Sequence, residues 1–171
     1  IGRHLKSDHG CISTTMVDYY ALPATGPKAW PGRANANSLP HEQKAQTVEE
    51  FLEQDMSTLM GVPPTILRFI PFVVMHEFEA LLFSDCDALA SAISREDLRD
   101  ALQEIRNQFD SPEEINDSPQ TAPSKRLEAL IPGYEKPLLG TLAALEIGIP
   151  RMRMECPRFA LWLNRLEAAA I

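Results

Sequence analysis

The stretch that decides the fold is RFIPFVVMHEFEALLFSD, which runs from Arg68 to Asp85. Its apolar run, Phe69–Met75, lacks the regular alternation of a half-exposed strand, so it predicts a strand buried on both faces. The run ends at HEFE, residues 76–79, and the chain then becomes apolar again at residues 80–83. Because ionised groups are costly inside a core, charges at this position predict ion pairs, a metal site or a functional cleft.

The segments on either side of this stretch predict an α/β fold. Alternating β-branched residues predict a first strand that ends near Asp18. Apolar residues at helical spacing predict a helix over residues 42–60, with Gly61 as its C-terminal stop. A strand, a helix and a second strand are typical of a parallel βαβ unit. We therefore expect a small parallel sheet in residues 1–84 and a mainly helical part in residues 85–171, packed together as one domain.

The second half of the chain is predicted to be almost entirely helical. Ser94, with Asp97 three residues later, comes close to a capping box that opens a long helix. Ser111 and Pro112 are the expected cap and first residue of a short helix. The predicted helices cover residues 77–83, 85–93, 95–109, 124–130, 137–147 and 157–170. Earlier in the chain, residues 24–40 are rich in Pro, Gly and Asn and predict a long loop of the kind that is usually functional or mobile.

The composition is that of an ordinary globular protein, with 44% of the 171 residues hydrophobic and 23% charged. The three cysteines are odd in number and widely spaced, which favours a reducing, cytoplasmic location over a disulfide framework. No apolar run approaches the ~18 residues needed to cross a bilayer, so we expect no membrane partner. No signal-peptide pattern is present either.

The net charge of −8 is unevenly distributed along the chain. Residues 41–121 carry seventeen acidic and five basic side chains, whereas the segments before and after them are each slightly basic. The acidic middle would repel a phosphate backbone, but a local basic surface elsewhere could still bind one. The overall charge therefore neither supports nor excludes nucleic acid as a partner.

Both predicted strands end in acidic residues, the first at Asp18 and the second at His76, Glu77 and Glu79. Ligands of open α/β sheets bind beyond the carboxyl ends of the strands, where neighbouring parallel strands would bring these groups together. Converging carboxylates suit Mg²⁺ or Mn²⁺, and such an ion would activate water and neutralise charge in phosphoryl chemistry. The pattern predicts Asp18 and Glu79 as metal ligands, with His76, Glu77 and Glu79 as candidate catalytic residues.

Each of these candidates also has a purely structural explanation. Asp18 at a strand end is commonly a turn or helix-cap residue. Glutamates at 77 and 79 are favoured in the first turn of a helix by its dipole, and a histidine beside an acid is more often a structural pair than a catalyst. Glu79 is the stronger candidate of the two glutamates, because His76, Glu79 and Phe83 fall on one helical face.

Candidate phosphate-binding residues lie later in the chain, at Lys125, Arg126 and Arg153. Arginine is suited to this role because its guanidinium binds two phosphate oxygens at once. The alternative is a solvated helix face that has no ligand. No Walker loop, GxGxxG, HExxH or GxSxG motif is present, which removes those enzyme classes in their usual form.

Several ordered blocks of the sequence resemble a bacterial family, domain of unknown function 4276 (DUF4276). The blocks are TTMVDYYALP, RFIPFVVMHEFEALLFSD, PEEIN with PSKRL and IPGYEKPLLG, and IGIPRMRMECPRFALWL. They cover most of the chain from about residue 11 to residue 166, and HEFEALLF is the most specific of them. Members of that family normally begin with a VEGxTE-like segment. This chain begins with Ile1 and residues 1–10 carry no helix start signal, so we expect the family's upstream segment to be missing here.

The resemblance implies a relation to Toprim domains, the metal-binding folds of topoisomerases, primases and certain nucleases. Toprim domains carry a Glu after the first strand and an Asp-x-Asp pair after a later one. Asp18 matches the first Asp of that pair, whereas Tyr20 stands where the second would be. The implied function is a Mg²⁺-dependent nuclease or phosphotransfer domain of a phage-defence system. The missing second Asp fits an alternative, a non-catalytic interaction or nucleic-acid-binding module that partners an ATPase.

Overall fold

The computed structural model describes residues 1–116 and 121–170. Within these residues the chain forms helices throughout its length and two short strands, which confirms the expected α/β class with a mainly helical second half. The α-helices and strands, in chain order, are α1 (Gly2–Ser7), β1 (Ser13–Asp18), α2 (His41–Met60), β2 (Phe69–Val74), α3 (Cys86–Ala92), α4 (Arg99–Arg106), α5 (Pro123–Leu130), α6 (Lys136–Glu155) and α7 (Pro157–Ala169). Short 3-10 helices cover Tyr19–Ala21, Asn35–Ser38, Pro64–Ile66, Phe78–Ser84, Glu96–Leu98 and Pro112–Glu114.

β1 and β2 pair in parallel, with Ser13 opposite Phe69 and Asp18 opposite Val74. Helix α2 connects them, so the predicted βαβ unit is confirmed. All six residues of β2 are buried, as its unbroken apolar run predicts. α2 ends where expected, because Gly61 adopts a left-handed conformation with φ of 67°. In the described part of the chain, no helix is long and apolar enough to cross a membrane.

The chain divides into two compact units. The sheet unit comprises residues 1–75 together with the chain from Trp162 onwards, and the helical unit comprises His76–Leu161. The predicted domain boundary at residue 84 falls at the end of the 3-10 helix Phe78–Ser84, inside the helical unit. The segment HEFE therefore opens the helical unit immediately after β2 and Met75.

The core of the sheet unit lies between α2 and β2. Val48 and Val73 are fully buried there, and the carboxylate of Glu49 accepts a hydrogen bond of 2.8 Å from the backbone amide of Val73. On β2, the ring of Phe72 stacks on Trp162 of α7 with ring centroids 5.0 Å apart. Apolar burial of this kind supplies most of the stabilisation of a small α/β unit.

The long loop at residues 24–40 is held by a buried arginine. Arg33 is 8% exposed, and its Nε donates a hydrogen bond of 3.0 Å to the carbonyl oxygen of Tyr19. One terminal nitrogen of Arg33 donates to the Tyr19 hydroxyl and to Asn37, and the guanidinium lies 3.8 Å from the centre of the Tyr19 ring. These contacts fix the middle of the loop against the end of β1.

One of two predicted helix starts is wrong and the other is confirmed. Ser94 does not cap a helix but takes φ of 54°, and the predicted helix 95–109 is a 3-10 turn followed by α4, which ends at Arg106. The reason lies in Asp97, whose carboxylate forms two hydrogen bonds of 2.7 Å with the guanidinium of Arg95 instead of closing a capping box. At Ser111 the prediction is confirmed, because its hydroxyl accepts a hydrogen bond from the amide of Glu113.

Three further helix predictions need correction. Residues 78–84 are helical but form a 3-10 helix rather than an α-helix. The predicted helix 137–147 extends as α6 to residue 155, with a break at Gly148, where φ is 74° and ψ is 154°. Residues 2–7 form α1 although the sequence carries no start signal, because Arg68 donates hydrogen bonds of 2.9 and 2.8 Å to the carbonyls of Leu5 and Asp8.

Candidate functional site

The segment HEFE follows directly on the carboxyl end of β2, the position that the sequence predicted for it. β2 ends at Val74, and His76 is 4% exposed. Glu77 remains extended, with φ of −141° and ψ of 158°, before the 3-10 helix begins at Phe78. The polar side chains therefore lie at the transition from strand to helix, where the backbone turns and hydrogen-bond donors from other segments can reach them.

The carboxylate of Glu77 is held on both of its oxygens. Oε2 accepts a hydrogen bond of 2.9 Å from the backbone amide of Ser124, in the first turn of α5, and Oε1 lies 3.3 Å from Nζ of Lys136. Burial opposes ionisation here, but the hydrogen bonds from Ser124 and the charge of Lys136 outweigh it and lower the pKa of Glu77. Glu77 is therefore ionised and links the first residues of the helical unit to α5 and α6.

Glu79 differs from Glu77 although it contacts the same cation. Its carboxylate lies 3.2 Å from Nζ of Lys136, but its side chain is only 4% exposed. Burial raises the pKa of Glu79, and the nearby negative charge of Glu77 adds to this, while Lys136 opposes it. A buried carboxyl group whose proton is held more tightly than usual is a frequent property of functional sites.

Lys136 and Tyr134 complete the cluster, and neither was predicted from the sequence as a site residue. Despite the opposing effect of burial, the charges of Glu79 and Glu77 raise the pKa of Lys136 and keep it cationic. The Tyr134 hydroxyl is buried and has no hydrogen-bond partner among residues 1–116 and 121–170. Burial, followed by the charge of Glu79, raises the pKa of Tyr134, so its phenol stays protonated. Both residues lie in the block IPGYEKPLLG, and its resemblance to DUF4276 is the sequence feature that could have identified them as site residues.

His76 faces a different partner. Its Nδ1 lies 3.0 Å from the side-chain amide nitrogen of Asn116. The amide nitrogen of Asn116 can only donate, so Nδ1 accepts and the ring proton of the neutral histidine is on Nε2. The structure therefore places His76 beside an amide, and the role of His76 in catalysis stays a prediction.

The three predicted phosphate-binding residues lie in the helical unit and have different surroundings. Lys125 is half-exposed and forms a surface ion pair of 2.6 Å with Glu128. Arg126 donates a hydrogen bond of 2.8 Å to the carbonyl of Thr121 and lies over the ring of Phe109. Arg153 is partly buried in α6. Exposed ion pairs contribute little free energy. Of the three residues, Lys125 can therefore most easily exchange its carboxylate partner for a phosphate.

Asp18 is the last residue of β1 and belongs to the sheet unit. It precedes the 3-10 helix Tyr19–Ala21, but its side chain makes no capping hydrogen bond to that helix. Asp18 is thus the N-cap residue of that 3-10 helix by position, as its structural explanation expects, without a capping hydrogen bond from its side chain. Its proposed role as a metal ligand stays a prediction.

The Glu77–Glu79–Lys136 cluster offers two carboxylates to a divalent cation of the Mg²⁺ type. Mg²⁺ is commonly held by one or two carboxylates and completes its shell with water and substrate oxygens. Two carboxylates already meet at one cation here, namely the ammonium of Lys136. Among the residues that the structure describes, no group of three or more His, Cys, Asp or Glu side chains is arranged to hold a metal. A metal at this place would thus rely on water or substrate for most of its ligands.

Comparison with protein-family models matches residues 1–167 to Domain of unknown function (DUF4276). The chain belongs to this family. The matched range includes β1, β2, the HEFE segment and the block that carries Tyr134 and Lys136, so the cluster is part of the DUF4276 domain. No curated protein and no solved structure was found to match the chain. The relation of DUF4276 to Toprim domains stays a prediction.

Proposed function

We propose that this DUF4276 domain is a divalent-metal-dependent, Toprim-like phosphotransfer domain that hydrolyses phosphodiester bonds as a nuclease, in the setting of phage defence. The observation that supports the proposal most strongly is the convergence of two carboxylates, Glu77 and Glu79, on one cation at the carboxyl end of β2. Sites of phosphoryl transfer are built around such cation-binding carboxylates, because the reaction is catalysed mainly by positioning and charge neutralisation.

Glu77 and Glu79 would hold Mg²⁺ or Mn²⁺, with Asp18 as the further ligand that the sequence pattern indicates. When bound, the ion would activate water and neutralise charge on the phosphoryl oxygens. Lys136 supplies a positive charge beside the carboxylates, where it can move from them to a substrate oxygen. Nε2 of His76 carries a proton that can be donated to a leaving oxygen.

Glu79 is suited to proton transfer as well as to metal binding. Burial raises the pKa of Glu79 towards neutral pH. A general acid or base is most efficient when its pKa lies near the pH at which the protein works. Lys125, Arg126 and Arg153 would hold the phosphate backbone of the nucleic acid, with Lys125 released from its surface pair with Glu128.

The proposal is tested by incubating full-length protein with single-stranded DNA, duplex DNA and RNA in the presence of Mg²⁺ or Mn²⁺. We expect cleavage that stops when the metal is chelated and falls about 100-fold or more in Glu79→Gln. Glu96→Gln, which changes an exposed glutamate of the same unit, is the matched control and should cleave normally. Absence of metal-dependent cleavage of all three substrates, or equal rates in the two variants, would contradict a nuclease function.

The alternative function is a non-catalytic interaction or nucleic-acid-binding module that partners an ATPase. The observation in its favour is that Glu77 already has a partner on each oxygen, which is the arrangement of a structural link between the start of the helical unit, α5 and α6. Under this alternative, full-length protein would bind the nucleic acid or the ATPase without cleaving either DNA or RNA. Gel-shift assays run beside the cleavage assays distinguish the two functions.

A further inference from the structure

A cleft in the sheet unit has the properties of a small-ligand site. It is lined by residues of the loop 24–40, of α2 and of both strands, and its volume is about 280 Å³. Most of its wall is apolar and comes from Trp30, Leu52, Met56 and Phe69. Pockets for small ligands have this character, with apolar walls and few polar groups, and 280 Å³ is near the lower end of their usual size.

One residue that lines the cleft, Thr15, has a side-chain oxygen without a hydrogen-bond partner in the described part of the chain. The hydroxyl of Thr15, on β1, is buried and makes no hydrogen bond within residues 1–116 and 121–170. A buried hydroxyl without a partner is destabilising, so such groups generally have a ligand or an ordered water. A ligand that reaches the Thr15 hydroxyl from the cleft would find one hydrogen-bond donor and two acceptor positions.

The wall formed by the loop is fixed in place before any ligand binds. The amide of Trp30 donates a hydrogen bond of 2.9 Å to the carbonyl of Pro23, and the carbonyl of Trp30 accepts one of 3.1 Å from the amide of Arg33. The side chain of Arg33 is itself anchored on Tyr19. Trp30 also packs against the buried core of the sheet unit. A preorganised aromatic wall costs little conformational entropy on binding.

Two charged residues of opposite sign also line the cleft, Lys28 from the loop and Asp55 from α2. Both are exposed, and neither has an ion-pair partner in the described part of the chain. Unpaired charges beside an apolar cleft are available to the polar end of a ligand. Lys28 suits a phosphate and Asp55 suits the hydroxyl groups of a sugar.

We propose that this cleft binds the base of a nucleotide, either free or at the end of a nucleic acid strand. A nucleobase has an apolar face that stacks on an aromatic ring and a polar edge that needs a hydrogen-bond partner, which Trp30 and Thr15 supply. The volume of about 280 Å³ is sufficient for one base. This inference is independent of the proposed function, because it involves none of the residues of the Glu77–Glu79–Lys136 cluster.

The test is a titration of ¹⁵N-labelled full-length protein with adenosine 5′-monophosphate and uridine 5′-monophosphate, followed by NMR. The chain has only two tryptophans, so its two indole N–H signals serve as probe and internal reference. We expect the Trp30 signal to shift with a dissociation constant of about 1 mM or tighter. The Trp162 signal should stay in place, because its indole N–H donates to Thr14 and its ring stacks on Phe72. Trp30→Phe assigns the signals.

Two variants and a second ligand make the result decisive. Thr15→Val removes only the unpartnered hydroxyl, so it should weaken nucleotide binding about tenfold without lowering the melting temperature. Thr65→Val, at an exposed position away from the cleft, is the matched control and should bind normally. Ribose 5-phosphate, which lacks the base, should shift the Trp30 signal much less than either nucleotide does at the same concentration. No Trp30 shift at about 10 mM nucleotide, an equal shift with ribose 5-phosphate, or normal binding by Thr15→Val would overturn the proposal.

Discussion

At the scale of single residues, Glu77 and Glu79 show how neighbours in sequence acquire opposite properties. Both contact the ammonium of Lys136, at 3.3 and 3.2 Å. Glu77 has in addition the backbone amide of Ser124, whereas Glu79 is almost completely removed from water. The pKa of Glu77 is therefore lowered and that of Glu79 is raised from the ordinary value of 4.5. The carboxyl group of Glu77 is therefore more easily ionised than usual, and that of Glu79 is less easily ionised.

Replacing each glutamate by its neutral isostere should therefore change stability in opposite directions. A lowered pKa means that the folded state favours the ionised form, so Glu77→Gln should destabilise at pH 7.5 by about 1 kcal/mol. A raised pKa means that folding disfavours the ionised form, so Glu79→Gln should be neutral or stabilising at the same pH. Urea unfolding of both variants measures the difference. Equal destabilisation by both changes would show that the two carboxylates have similar environments.

The pH dependence of the same two sites follows from the direction of each pKa shift. The stabilisation by Glu77 is present above pH 4.5 and is lost as the pH falls through its lowered pKa. The contribution of Glu79 has the opposite sign, because stability decreases as the pH rises from 4.5 through its raised pKa. The stability gap between the Glu77→Gln and Glu79→Gln variants should thus be largest near neutral pH and narrow on acidification.

Arg33 is a second residue whose environment gives a definite expectation. Its guanidinium donates hydrogen bonds to both the carbonyl and the hydroxyl of Tyr19 and lies over the Tyr19 ring. A lysine has the same charge but cannot make this set of contacts. Arg33→Lys should therefore cost about 2 kcal/mol in the free energy of unfolding and expose the loop 24–40 to proteolysis. Arg3→Lys, at an exposed position in α1, should change neither quantity.

At the scale of secondary structure, the elements predicted correctly are those whose signals are local. α2 was found from its apolar spacing and Gly61, and β2 from its unbroken apolar run. α1 was missed because its carbonyls are capped by Arg68, about sixty residues away in the chain. Likewise the sequence predicts Ser94 as a cap, because spacing alone does not reveal the competing ion pair of Arg95 with Asp97. Elements that are stabilised by residues distant in the chain cannot be predicted from local sequence patterns.

The break in α6 provides a test at this scale. Gly148 has φ of 74° and ψ of 154°, a conformation that is essentially restricted to glycine. Gly148→Ala should therefore destabilise the protein by about 1–3 kcal/mol, as measured by thermal or urea unfolding. Gly10→Ala is the comparison, because Gly10 does not have a positive φ and tolerates a methyl group at ordinary contact distance. If the two variants are equally stable, the helix does not break at Gly148.

At the scale of the whole molecule, the three cysteines should differ in reactivity. Burial raises the pKa of Cys86 and of Cys156 to about 12, so neither forms much thiolate at pH 8. Cys11 is partly exposed. We expect one rapid equivalent of alkylation in the native protein, absent in Cys11→Ser, and two further equivalents only after unfolding. Mass spectrometry counts the adducts, and rapid native labelling of all three would contradict the buried positions.

Only part of the candidate site, its two glutamates, could be predicted from the sequence. Placing acids at the carboxyl ends of predicted strands was enough to select Glu77 and Glu79, because that rule depends only on the order of elements. Lys136 and Tyr134 were not selected, because they lie more than fifty residues further along the chain and approach Glu79 only in the folded helical unit. The cation that balances the two carboxylates is thus a tertiary feature, which no spacing rule could predict.

The most direct test of the central claim is a calorimetric titration of full-length protein with Mn²⁺. We expect saturable binding in the wild type, at least about tenfold weaker binding in Glu79→Gln, and unchanged binding in Glu96→Gln. Lys136→Met should bind Mn²⁺ as tightly as the wild type or more tightly, because its ammonium no longer competes for the two carboxylates. If Mn²⁺ does not bind, or if Glu79→Gln binds it as well as the wild type, Glu79 is not part of a metal site.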